Sequence, residues 1–97
     1  MDKYEKMIQD LIQEFLEFQM DLNHTQIERV EKLKSLLERL VQYKQITRYW
    51  VKYYEDCAVV CLFAEPRYNK PYPSYRFVVT WLPTELSMSD HGGKIFT

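Results

Sequence analysis

Residues 46–54 read Ile-Thr-Arg-Tyr-Trp-Val-Lys-Tyr-Tyr, and whether they form strand or helix decides the fold. β-Branched and aromatic side chains dominate, the composition of a half-buried strand. Ile46, Tyr49, Trp50 and Tyr53 also satisfy a helical period, with no glycine or proline to interrupt them. The residues downstream favour the strand. Glu55-Asp56 supplies a turn, and residues 58–63 (Ala-Val-Val-Cys-Leu-Phe) are apolar on both faces, as a buried middle strand is. Tyr75, Phe77, Val79 and Trp81 then alternate along a third strand that Pro83 ends. Were 46–54 helical, only two strands would remain, and a lone two-stranded hairpin is marginal in water.

Upstream, the period changes. Met1, Tyr4, Ile8, Leu11, Phe15 and Phe18 recur at 3-4-3-4-3 spacing, widened to a stripe by Met7, Ile12 and Leu16, which predicts an amphipathic helix. A polar break over 21–24 leads into Thr25-Gln26-Ile27-Glu28, a capping box in which threonine and glutamate satisfy each other's backbone amides. Ile27, Val30, Leu33, Leu36, Leu37, Leu40 and Val41 continue at helical spacing. So short a connection makes the two helices an antiparallel hairpin. The expected architecture is α+β in the order ααβββ, an N-terminal helical hairpin packed on a three-stranded antiparallel meander. It forms one domain over 1–97, with the hairpin in 1–44, the sheet in 46–82 and a polar tail in 83–97.

Composition bounds the function. The 97 residues are 46% hydrophobic and 15% aromatic, enough for a core, and carry only 2 glycines. That scarcity disfavours phosphate-cradling glycine loops, and Gly92-Gly93-Lys94 lacks the preceding strand such a loop needs. No apolar run approaches the roughly 18 residues of a membrane span, and the N-terminus lacks a signal-peptide core. A cytoplasmic protein with no membrane partner is expected. Cys57 and Cys61, four apart on a strand, would stand about 13 Å from each other at ~3.3 Å per residue, too far for a disulfide or a shared metal. Reduced, buried thiols are the expectation, with no metal and no cofactor.

Catalytic readings are weak. Ser87, Ser89, Asp90 and His91 are neighbours in a tail, whereas a triad is assembled in space from rigid elements. Asp10, Glu14 and Glu17 lie on the polar side of the first helix, where water keeps carboxylate pKa values together. No catalytic residue is assigned.

The charge distribution says more. Residues 1–41 hold six basic and nine acidic side chains, and residues 42–82 hold six basic and three acidic, so a near-neutral chain hides an acidic helical half and a basic sheet half. On the first strand Arg48, Trp50, Lys52 and Tyr54 alternate cation and ring on one face. Arg76 joins them from the third strand, and the proline-rich loop 65–73 adds Arg67, Tyr68, Lys70 and Tyr72. Arginine and aromatic residues dominate protein-binding hot spots, and the same pairing of cations with rings serves single-stranded nucleic acids. A sequence pI of 6.1 lies far from the value above about 9 usual for nucleic-acid-binding domains. A protein partner is therefore the leading expectation and nucleic acid the alternative.

Two helices cover one side of a sheet, so the other should expose an apolar stripe flanked by Trp50 and Arg76. A homodimer is the simplest way to bury it. Ile8, Leu11, Phe15, Phe18, Val60 and Leu62 are the expected dimer residues. The whole reads as a small, non-enzymatic interaction module that binds and inhibits another macromolecule. By compositional analogy it is of the kind found among phage and viral accessory proteins.

Overall fold

In a computed structural model of the chain, which describes residues 3–63 and 75–83, both helices and all three strands form in the expected order. They are α1 (Lys3–Gln19), α2 (Gln26–Gln42), β1 (Arg48–Tyr53), β2 (Cys57–Phe63) and β3 (Tyr75–Thr80). Among the described residues the chain divides into two compact units, 3–36 with Leu82 and Pro83, and 37–63 with 75–81.

In the first unit α1 packs against α2. Leu11 and Phe15 of α1 and Leu33 and Leu36 of α2 are buried. Lys32 ties the helices at their margin, 3.9 Å from the Glu14 carboxylate and 5.5 Å from the centre of the Phe18 ring. The turn between them is built from side-chain caps. The Asn23 amide donates to Asp21 Oδ1 at 3.1 Å, a turn that aspartate's short carboxylate favours. His24 stacks on Phe18 with ring centres 3.9 Å apart. The capping box closes as expected: the Glu28 amide donates to Thr25 Oγ1 at 3.2 Å, and the Thr25 amide donates to Glu28 Oε1 at 3.0 Å.

Two polar residues are buried in this unit, Gln19 and Arg29, the latter 0% exposed. Both hold the extended backbone that comes after β3. Leu82 donates its amide to Gln19 Oε1 at 3.0 Å. The Arg29 guanidinium donates through Nη1 to the Leu82 carbonyl and through Nη2, at 3.1 Å, to the Pro83 carbonyl. Arg29 Nε has no partner, and burial lowers the guanidinium pKa. Among the described residues the buried cation is met by backbone carbonyls, which point their dipoles at it.

The second unit begins inside α2, which ends in a Schellman motif. The Lys44 amide donates to Val41 O at 2.9 Å and the Gln45 amide to Leu40 O at 2.9 Å. The motif needs a left-handed residue, usually glycine. Here Lys44 takes that place at φ 59°, the only non-glycine residue at positive φ among the described residues. The strand expected from Ile46 starts two residues later, because the Ile46 amide still serves the helix end, donating to Leu40 O at 3.4 Å. The sheet is antiparallel in the order β1-β2-β3. Its buried face is set by register. Leu62 lies between Tyr49 and Tyr75, Val60 between Val51 and Phe77, and Ala58 between Tyr53 and Val79. Leu37, Leu40, Ile46 and Trp81 complete the buried set of this unit. Trp81 reaches back to the β1–β2 turn: its amide donates to Asp56 O at 3.1 Å, its indole Nε1 to Tyr54 O at 3.0 Å, and its ring stacks on Tyr53.

Candidate functional site

The opposite face of the sheet carries the expected alternation. On β1, Arg48, Trp50 and Lys52 are exposed, as are Arg76, Val78 and Thr80 on β3, while Tyr54 lies exposed just past β1. Between these edges β2 presents Cys57, Val59, Cys61 and Phe63. Cross-strand register places Trp50 and Arg76 on either side of Cys61, Lys52 and Val78 on either side of Val59, and Arg48 opposite Phe63. The period-two geometry of a strand puts the ten strand side chains on one face. The three strands add three cations to this face and no carboxylate.

The exposed apolar area is not where the stripe was expected. Val59 and Cys61 are only 9% and 7% exposed, whereas Trp50 is 52% and Val78 53% exposed. A middle-strand residue has a close cross-strand neighbour on both sides, so the flanking side chains cover it and take the solvent themselves. Arg48 shows the mechanism, with its guanidinium 3.8 Å from the centre of the Phe63 ring. Lys52 Nζ lies 5.4 Å from the Tyr54 ring. Such cation–ring contacts pre-orient the cations while leaving them hydrated.

Ionisation on and near the sheet is perturbed in one direction. Burial, with the Asp56 carboxylate second, pushes the Cys57 thiol up, which keeps it in the less nucleophilic neutral form. Burial also raises the Tyr53 phenol. Tyr49 is pushed up to about 12 by burial and by Glu38, to which its hydroxyl donates at 2.5 Å.

The remaining sequence expectations divide. Arg67, Tyr68, Lys70 and Tyr72 lie outside the described residues, as does the tail cluster around His91. Four of the six expected dimer residues need correction. Leu11, Phe15, Val60 and Leu62 are each at most 4% exposed in the single chain, so they have no surface to give a second copy. Val60 and Leu62 sit on the buried face, and Leu11 and Phe15 lie on the line of α1 that meets its own core. Ile8 and Phe18 are half-buried, Phe18 beneath His24. Cys57 and Cys61 are both free thiols on the outer face of β2. Among the described residues no group of three or more His, Cys, Asp or Glu converges as metal ligands would, and no helix is long and apolar enough to cross a membrane. Sequence reasoning missed Val78, which interrupts the polar side of β3, and the grip of Gln19 and Arg29 on Leu82. Comparison with protein-family models, with curated proteins and with solved structures finds no match for this chain.

Proposed function

We propose that the chain is a non-enzymatic protein-interaction module whose outer sheet face captures, and thereby blocks, a protein partner. One observation carries this reading: Trp50 on β1, between Arg48 and Lys52, and Val78 on β3, beside Arg76, are each about half exposed on the same face. Exposed apolar side chains set among cations suit a protein-binding patch, in which tryptophan and arginine are the commonest energetic anchors. Nucleic acid is the weaker reading. Base-stacking sheets present rings on their central strands, whereas here the strand centre offers Val59 and Cys61, and the exposed indole belongs to an edge strand.

The test is affinity capture from the native host with the wild-type chain and with Trp50→Ala and Arg76→Glu, both at exposed positions and checked for folding by circular dichroism. A protein retained by the wild type and lost by both variants supports the reading. Retention of the same protein by both variants, or retention only of oligonucleotides, overturns it.

A further inference from the structure

The outer sheet face has a counterpart of opposite charge on the helical unit. We propose that two copies of the chain associate by seating the outer line of α1 from one copy on the outer sheet face of the other. The proposal rests on the reading of that face as protein-binding and names its occupant.

Lys6, Asp10, Gln13, Glu17 and Met20 come at 4-3-4-3 spacing along the exposed side of α1 and its end, so the line is cationic at its start and acidic from Asp10 on. Residues at this spacing share a helix face. Leu16, four before Met20, stands beside it; Met20 is 68% and Leu16 38% exposed. The Glu17 carboxylate is oriented by a hydrogen bond from Gln13 Nε2 at 3.1 Å. The last turn of α1 carries no basic residue, so the negative end of the helix dipole adds to the field of Glu17 and Asp21. The result is an apolar pair, Leu16 and Met20, bordered by acid. The sheet offers exposed apolar side chains, Trp50 and Val78, set among Arg48, Lys52 and Arg76.

Two such patches of opposite sign on one chain complement each other between copies. A sheet-to-sheet twofold contact would oppose the three cations to their own images, so like-charge repulsion disfavours it. A pair of copies that makes the contact in both directions is closed at two.

The experiment is sedimentation velocity on the full chain, at concentrations from about 1 to about 200 µM and in about 50 and about 500 mM salt. Three proteins are compared: wild type, a helix-reversed variant (Asp10→Lys with Glu17→Lys) and a sheet-reversed variant (Lys52→Glu with Arg76→Glu). All four substituted positions are exposed, and matching circular dichroism spectra establish that the folds are unchanged. The wild type is expected to dimerise at low salt and weaken at high salt. Each reversed variant should associate at least about tenfold more weakly. An equimolar mixture of the two variants should regain the dimer, because the reversed helix then meets the reversed sheet and the two unaltered patches meet each other. A wild type that stays monomeric at the highest concentration overturns the proposal. So does a reversed variant that associates like the wild type, or a mixture no tighter than its components. If these refute the pairing while Trp50→Ala still releases a foreign protein, only the identity of the occupant has failed.

Discussion

Replacing Arg29 by alanine should destabilise the protein by about 3 kcal/mol through its lost hydrogen bonds alone, before any packing lost with its stem. The guanidinium is fully buried and donates to the Leu82 and Pro83 carbonyls. Hydrogen bonds from a charged donor contribute about 1.5–3 kcal/mol each, giving about 3–6 kcal/mol for two. Opposing this, Arg29 Nε is buried without a partner, a cost of about 1–3 kcal/mol, and the lowered pKa of the group shows that its charge is unfavourably desolvated. The difference is about 3 kcal/mol, which for a chain of this size lowers Tm by about 12–24 °C. Thermal melts followed by circular dichroism measure it. Arg29→Met separates the terms, because it keeps the volume of the stem but leaves both carbonyls without a donor. It should lose most of what alanine loses. An alanine variant melting within about 3 °C of the wild type, or a methionine variant indistinguishable from it, would refute the account of this grip.

Thr25→Ala removes one half of the capping box and should cost about 1 kcal/mol of stability in urea titration. The Thr25 amide, with the threonine hydroxyl second, holds the Glu28 carboxyl below its ordinary range. Its contribution is therefore present above the unfolded carboxylate pKa and lost as pH falls through the lower folded one. In Thr25→Ala the Glu28 titration, followed by carboxyl NMR, should move only part of the way back up, because the residue-25 amide still donates to the carboxylate. Lys44→Gly relieves a left-handed non-glycine residue and should stabilise by about 1 kcal/mol, the penalty being about 1–2 kcal/mol before glycine's greater unfolded-state freedom is subtracted. Unchanged denaturation would mean that the Schellman geometry does not persist in solution. Tyr49, raised to about 12, favours the fold fully below the unfolded phenol pKa near 10, and that contribution is lost as pH rises through the folded value. Ultraviolet titration should show tyrosine ionisation extending to about pH 12, and Glu38→Gln should bring that last step down.

The elements were legible because each rests on a local pattern. The capping box marks the start of α2, and the alternation of Tyr75, Phe77 and Val79 fixes both β3 and its buried face. The apolar doublets of β2 identified the central strand. Which line of each helix is buried was less legible. The heptad seam of α1 runs through Phe18, yet the buried line steps by four through Leu11, Phe15 and Gln19. A straight helix of 3.6 residues per turn drifts off a 3.5-residue seam, and a polar residue at the end of that line gives no hydrophobic signal. Arg29 was hidden the same way: four before Leu33 it extends the buried line, while Ile27, read as part of the stripe, is exposed. For the candidate face, alternation placed Arg48, Trp50 and Lys52 correctly. It could not say that the flanking side chains would cover Val59 and Cys61, since that depends on cross-strand register.

The bonds from Trp81 to the β1–β2 turn bear on how the sheet chooses its alignment. Two-residue hairpins usually fix their pairing with a left-handed turn whose twist matches the strands. Glu55 and Asp56 have no positive φ, so the local sequence leaves strand slippage open. The carbonyls of Tyr54 and Asp56 are bonded instead by a residue twenty-five positions beyond the turn. Alignment of the first two strands is thus completed only when the third arrives, and amide exchange at all three should report one cooperative opening rather than a hairpin that outlives its neighbour.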